Sequence, residues 1–294
     1  MIQDSTYKET YPQLFALAYR MTGSVSDAED VIQEAWTRLL NQPAGRVDSP
    51  PKWLYRTVSN LAIDTLRTSK RTATGYHGPW LPEPYLTDTH TPGPEVQAIT
   101  REDISMALLL MLENLSPVQR AVWVLRTSLE LSFAEIGEMV DRTEENCRQL
   151  FRRAGSRLKG EQGRELQPAP AVLVERFLNA MQSGDTALVT SLLMEDATWI
   201  GDGGGVKPAT ARPVLGADKV GRGLTSLVIK SADKWRLESV ELNGQAGLLV
   251  HADGELDAAW LFLGNEDQIS HVLSVRNPNK FRGILGPDFR IPSG

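Results

Sequence analysis

The stretch Leu131–Leu158, LSFAEIGEMVDRTEENCRQLFRRAGSRL, decides how the N-terminal half folds. Its pattern predicts two helices joined by a tight turn, the second of them basic. Ser132 and Glu135 stand three apart as a capping box, and Leu131 and Ile136 fall where a hydrophobic staple packs. Phe133, Ile136 and Val140 repeat at helical spacing until Asp141-Arg142 breaks the pattern. Thr143 can cap the second helix, with Glu144 and Glu145 in its first turn, where the helix dipole favours anions. In that helix Cys147, Leu150, Ala154 and Leu158 form an apolar seam, and Arg148, Gln149, Arg152, Arg153 and Arg157 occupy the opposite arc. A helix docked by its seam and presenting guanidinium groups suits a DNA major groove, where arginine bonds phosphate or guanine and glutamine reads adenine. A solvated basic face on an ordinary helical hairpin is the competing reading, and the acids at the helix start count mildly for it. Helix-turn-helix geometry discriminates the two.

The chain of 294 residues has room for two or three domains of about 100–150 residues each. Its net charge of −6 requires any nucleic-acid surface to be local. Cys147 is the only cysteine, which excludes an internal disulfide and fits a reducing compartment. The N-terminus has no signal-peptide pattern and no apolar run approaches membrane-spanning length, so a cytoplasmic protein with no membrane partner is expected.

Outward from that stretch, Thr6 to Met21 has helical spacing and ends at Gly23. Ser26 and Glu29 form a second capping box that opens a helix from Asp27 to about Leu40, with Asp30, Gln33, Glu34 and Arg38 pointing away from its apolar stripe. A third helix spans Lys52 to Arg67. Leu54, Val58, Leu61, Ala62 and Leu66 make its packing side, and Trp53, Arg56, Asn60, Asp64 and Arg67 gather on another. An indole beside amide, carboxylate and guanidinium groups offers single-stranded bases a stacking surface and edge hydrogen bonds. A Trp at the core margin beside a solvated face fits the same residues equally well.

Residues 72–98 are rich in Pro, Gly and Thr and read as a linker, but Tyr76, Trp80, Leu81 and Tyr85 are costly to leave in water, so part of it should dock. Helices resume near Ile99, and Ser116-Pro117-Val118-Gln119 is a further capping box with proline at the first helical position. Glu161 to Pro170 is a second linker. Beyond it, helical patterns at 171–181, 186–193 and 216–227 accompany strand-like runs at 197–200, 235–242, 247–251, 258–263 and 269–275. This order predicts an α+β domain with a curved antiparallel sheet.

The order of these pieces resembles regions two and four of the extracytoplasmic-function (group IV, sigma-70 family) RNA polymerase sigma factors, over residues 7–160. The carrying stretches are SVSDAEDVIQEAWTRLL, SPPKWLYRTVSNLAIDTLRTSKR and LSPVQRAVWVLRTSLELSFAEIGEMVDRTEENCRQLFRRAGSRL. The resemblance implies that Asp30, Gln33, Glu34 and Arg38 contact the coiled coil of the largest polymerase subunit, with the flap as a further polymerase contact of the chain. It implies that Trp53, Arg56, Asn60, Asp64 and Arg67 hold the opened minus-ten promoter strand. It gives Arg148, Gln149, Arg152, Arg153 and Arg157 the minus-thirty-five element.

Residues 171–290 look like a SnoaL-like domain, the α+β cone that a subgroup of these factors carries at its C-terminus. The subgroup marks are GPWLPEP at 78–84, DGGG at 202–205 and NPNKF at 277–281, where Asn279 and Phe281 depart from the family pattern. The resemblance implies a multidomain chain. Its parts are region two over 1–72, a linker over 73–98, region four over 99–162, a second linker over 163–170 and a regulatory SnoaL-like domain over 171–294. The regulatory interface would comprise Trp80, Pro82, Asp202, Gly203, Gly204, Gly205, Asn277, Pro278 and Lys280. A tethered domain acts at an effective concentration of about millimolar, so a weak interface suffices. The cone also hosts enzymes, and Trp199, Asp202, His251, Trp260 and His271 are the residues to test in its cup. No nucleophile–base pair or metal-ligand spacing accompanies them, so no enzyme activity, cofactor or metal is expected, and a small-ligand pocket is the more credible use of a cavity. The free chain is expected to be monomeric.

Overall fold

The computed structural model describes residues 2–43, 46–72, 75–87, 104–158 and 166–286. The chain forms two compact units, one of Met1–Thr74, Thr91–Ile104 and Leu108–Glu165, the other of Gly75–His90, Ser105–Ala107 and Leu166–Gly294. The helix expected to resume near Ile99 lies outside the described residues, as do 163–165 of the second linker. No helix among the described residues is long and apolar enough to cross a membrane.

The first unit is helical. Helices α1 (Ile2–Thr22), α2 (Val25–Leu40) and α3 (Pro50–Thr72) pack their apolar stripes on one another. Leu14, Leu17, Met21, Ile32, Ala35, Leu54, Val58 and Ala62 are nearly or fully withdrawn from water. Each large member contributes about 1.5–3 kcal/mol by burial. Helix α2 starts two residues earlier than its Ser26–Glu29 pattern predicts. Ser24, not Ser26, is the N-cap and accepts from the Asp27 amide, because Gly23 with φ of 70° ends α1 immediately before it. Helix α3 begins at its two prolines and runs five residues past Arg67.

The remaining helices are α4 (Met106–Glu113), which belongs to this unit from Leu108 onward, α5 (Pro117–Ser128), α6 (Phe133–Val140) and α7 (Glu144–Leu158). The capping boxes at Ser116–Gln119 and Ser132–Glu135 form as the spacing predicts. The turn between α6 and α7 places Asp141 in the left-handed region, and Thr143 Oγ1 accepts from the Asn146 amide. Gly137 permits this turn to close, since a Cβ there would lie 2.5 Å from the Arg142 carbonyl oxygen. Cys147 and Ala154 bury the α7 seam, and Phe151 stacks on Trp123 with centroids 4.8 Å apart. This is a helix-turn-helix.

The second unit is α+β. Helices α8 (Ala171–Ser183), α9 (Thr186–Ser191) and α10 (Ala217–Lys230) pack on a six-stranded sheet. Its strands are β1 (Leu193–Asp202), β2 (Val214–Leu215), β3 (Trp235–Leu242), β4 (Gln245–Ala252), β5 (Glu255–Gly264) and β6 (Ile269–Val275), in the order β2-β1-β6-β5-β4-β3. The sheet is mixed, which corrects the antiparallel expectation. β1 and β6 run parallel, because the chain between them passes through α10 and the β3–β5 meander, a crossover long enough to re-enter from the same end. The other four pairings are antiparallel. Linker residues belong to this unit: Leu86 bridges Leu242 at the sheet edge, and Tyr85 and Asn243 exchange two hydrogen bonds.

Candidate nucleic-acid interface and the Asp202 clasp

Three helical faces of the first unit carry the residues singled out from sequence. On α2, Asp30, Gln33, Glu34 and Arg38 are exposed on the side opposite buried Val31, Ile32 and Ala35, and Arg38 Nε donates to Glu34 Oε1 at 2.7 Å. On α3, Arg56, Asn60, Asp64 and Arg67 fall three or four residues apart and share one exposed face. Arg67 pairs with Asp64 at 2.9 Å, and the Asn60 amide donates to the Met139 carbonyl at 3.0 Å. Trp53 is half-buried in a cleft of about 280 Å³, with Arg46, Lys52 and Arg56 as its cations and Glu138 and Met139 as its other wall.

On α7, Arg148, Gln149, Arg152, Arg153 and Arg157 are all exposed. Arg148 pairs with Glu144 at 2.5 Å and lies 5.6 Å from the Phe133 ring centroid. Arg157 turns toward α5 and donates to Gln119 Oε1 at 2.9 Å, which joins α7 to a capping-box residue. Arg152 and Arg153 have no side-chain hydrogen bond or ion pair among the described residues. Exposed pairs such as Arg148–Glu144 are worth at most about 1 kcal/mol, so these guanidinium groups exchange partners readily.

Sequence reasoning missed Arg120. It is 1% exposed on α5, donates through Nη1 to the Met21 carbonyl at 2.9 Å and pairs with Glu113 at 2.5 Å. An arginine in an amphipathic helix gives no sequence sign that its partner lies ninety-nine residues away.

In the second unit the three subgroup motifs converge on one carboxylate. Asp202, at the end of β1, is fully buried. Its Oδ1 accepts from the Tyr76 hydroxyl at 2.5 Å and the Gly204 amide at 3.1 Å. Its Oδ2 accepts from the Leu81 amide at 2.8 Å and Lys280 Nζ at 2.7 Å. Lys280 is itself 5% exposed, donates to the Leu81 carbonyl at 2.5 Å and sits 4.1 Å from the Trp80 ring centroid. Asn277 donates to the Tyr76 oxygen at 3.0 Å, and its own Oδ1 accepts from the Asn279 amide. Asn279 thus takes part through its backbone, so a departure from the family pattern there leaves the turn intact. Burial and the hydrogen bond to Asp202 push the Tyr76 phenol well above its ordinary value.

The glycines after Asp202 are required by space. Gly204 has φ of 57°, and a Cβ there would fall 2.1 Å from Asn277 Nδ2, while one on Gly203 would fall 2.0 Å from the Lys207 carbonyl oxygen. Beside the turn, buried Asp257 is held by Lys207 at 3.0 Å and Arg276 at 2.7 Å. Of the regulatory residues named from sequence, Trp80, Asp202, Gly204, Asn277 and Lys280 touch directly, and Gly203 shapes the turn. Gly205 lies against His77. Pro82 is buried between Leu81 and Glu83, and Pro278 starts the short 3₁₀ turn Pro278–Lys280.

The residues named for the cup do not form one site. Asp202 belongs to the clasp. His251 bonds Glu238 at 3.1 Å and His271 bonds Ser270 at 2.9 Å. Trp260, 1% exposed, is in the apolar cluster under the helices with Phe177, Phe262, Leu224 and Val228, and Trp199 packs at its margin.

Comparison with known proteins agrees with this arrangement. Residues 6–72 match Sigma-70 region 2, and residues 105–158 match Sigma-70, region 4. The chain is 33% identical over 291 residues to the ECF RNA polymerase sigma factor SigJ of Mycobacterium tuberculosis, covering 95% of this chain and 93% of that protein. It is 32% identical over 212 residues to the probable ECF RNA polymerase sigma factor SigI of the same species, 71% of each. The crystal structure of the M. tuberculosis extracytoplasmic function sigma factor SigJ matches with a TM-score of 0.77 at 32% identity, over 95% of this chain and 98% of that one. Two sigma-70 regions in order, a helix-turn-helix carrying the second, and near full-length similarity that includes the α+β unit place the chain in the extracytoplasmic-function family of RNA polymerase sigma factors.

Proposed function

We propose that this sigma factor is regulated by its own C-terminal domain, which acts by holding the linker between regions two and four. The carrying observation is the clasp: a buried carboxylate that accepts four hydrogen bonds, two of them from linker residues Tyr76 and Leu81. In this reading the α2 face with Asp30, Gln33, Glu34 and Arg38 meets the coiled coil of the largest polymerase subunit, and region four meets the flap. The α3 face from Trp53 to Arg67 takes the opened minus-ten strand, and Arg148, Gln149, Arg152 and Arg153 on α7 read the minus-thirty-five element, with Arg157 at the edge of that surface. Residues 1–72 and 99–162 are the promoter-binding parts, 73–98 and 163–170 the linkers, and 171–294 the SnoaL-like regulator.

The chain acts as an initiation factor in the cytoplasm, without a reaction of its own. The buried apolar cluster built around Phe177, Trp260 and Phe262 supports reading the C-terminal domain as a scaffold. Initiation in vitro by core polymerase, comparing the full chain with its Asp202→Ala variant and with residues 1–165, tests the regulatory role. A difference in transcript yield is expected between full chain and variant. Equal yields from all three proteins would make the domain a passenger.

A further inference from the structure

Within the first unit, regions two and four exchange helix caps. The last carbonyls of a helix lack helical partners. At the end of α1, the Met21 carbonyl is taken by Arg120 of region four. At the end of α6, the Gly137 carbonyl accepts from the turn amides of Asp141 and Arg142, but the Met139 carbonyl is taken by Asn60 of region two. Next to it, Lys52 lies 3.7 Å from Glu138 at the mouth of the Trp53 cleft. The donors that suit nucleobase edges and phosphates are therefore directed at a carbonyl oxygen, a carboxylate and the negative end of a helix dipole.

We infer that the C-terminal end of α6, through the Met139 carbonyl and the Glu138 carboxylate, is an intramolecular decoy for the single-stranded promoter segment. It engages the donors that the strand needs, so strand and helix-turn-helix compete for α3. This rests on the minus-ten assignment of α3. The charge pair of the decoy is weak by construction: the Lys52 and Glu138 side chains remain 59% and 68% exposed, and pairs of that kind change an equilibrium by only about two- to five-fold. A polyanionic strand that offers several phosphates displaces it, and in doing so moves α6 and the recognition helix away from α3.

The test uses the full chain, a fluorescein-labelled random-sequence single strand of about twelve nucleotides, and Glu138→Gln. Glu9→Gln, which removes the same charge from an exposed position on α1, sets the background. Glu138→Gln should bind the strand about two- to five-fold more tightly than wild type with an unchanged Tm, and Glu9→Gln should match wild type. Spin labels at Ser69→Cys and Arg142→Cys in a Cys147→Ala background should show a longer, broader distance distribution at saturating strand. Equal affinities for wild type and both variants, or equal gains in both variants, together with an unchanged label distance, would overturn the decoy and leave the minus-ten assignment standing. Absence of strand binding by every protein would remove the minus-ten assignment and the decoy with it.

Discussion

The α7 face and the Asp202 clasp use the same chemistry under opposite solvation. On α7, Arg148 and Glu144 meet at 2.5 Å with both side chains more than half exposed. In the clasp, Lys280 and Asp202 meet at 2.7 Å with side chains 6% and 0% exposed. Water competes for the first pair at every moment and solvates either partner when it is lost. The second has no water to fall back on, so removing one partner strands a charge. Exposure makes a charge exchangeable, which suits the DNA-reading role proposed for this face. Burial with full hydrogen bonding makes it a commitment, which suits a device that fixes a linker.

Asp202→Ala should break the contrast most. It leaves Lys280 buried without its carboxylate and should cost about 3–5 kcal/mol, read by urea unfolding and by faster hydrogen exchange at the Leu81 amide. Lys280→Met should cost less, about 2–3 kcal/mol, since Asp202 retains donors from Tyr76, Leu81 and Gly204. A loss below about 1 kcal/mol in both would mean the clasp is no stronger than a surface pair. Gly137→Ala forces a Cβ against the Arg142 carbonyl and should destabilise the helix-turn-helix by about 1–3 kcal/mol, visible as a lower Tm and weaker duplex binding.

Arg152→Ala should leave stability within about 0.5 kcal/mol of wild type and reduce the salt slope of promoter binding by roughly 0.9. An unchanged slope in a titration from low to moderate salt would remove Arg152 from the phosphate contacts. His271 provides a titratable comparison on the buried side. Burial pushes its imidazole below the ordinary value of 6.5, against the pull of Asp196. The fold thus favours the neutral ring, so the contribution is fully present above that ordinary value and is lost as pH falls through the lower folded value. Wild type should lose Tm more steeply than His271→Gln between pH 7 and 5; parallel curves would show that the ring titrates freely. The smallest effect is expected from Glu144→Gln, with stability shifted by under about 0.5 kcal/mol and a modest gain in duplex affinity as Arg148 loses its competitor.

Local signals were legible in the sequence wherever partners stand three or four residues apart. The boxes at Ser116 and Ser132 and the break in the helical pattern at Asp141 need only neighbours, and each forms where the spacing puts it. The N-cap of α2 was misplaced because Ser24 and Ser26 both precede an acceptable third residue, and only the backbone of Gly23 chooses between them. Partners far apart in sequence left no mark. Nothing local distinguishes Arg120 from the solvated arginines, or Asn60 from an ordinary exposed amide, before Met21 and Met139 are brought up to them. Strand β2 is two residues long, too short for any alternation to register. The clasp residues were legible as motifs through the family resemblance, and Tyr76 as an aromatic that ought to dock, but the hydroxyl that ties them to Asp202 follows only from the fold.

The clasp also sets an order of events during synthesis. Tyr76 precedes Asp202 by 126 residues, and Leu81 precedes Lys280 by 199. At roughly 5–20 residues per second, about ten to forty seconds separate translation of the linker from translation of the lysine that completes its anchorage. Both promoter-binding regions leave the ribosome inside that interval with the linker untied. On the regulatory reading proposed above, a newborn chain that meets polymerase early does so unclasped and one that meets it late does so clasped, so the age of the molecule becomes a variable in its regulation.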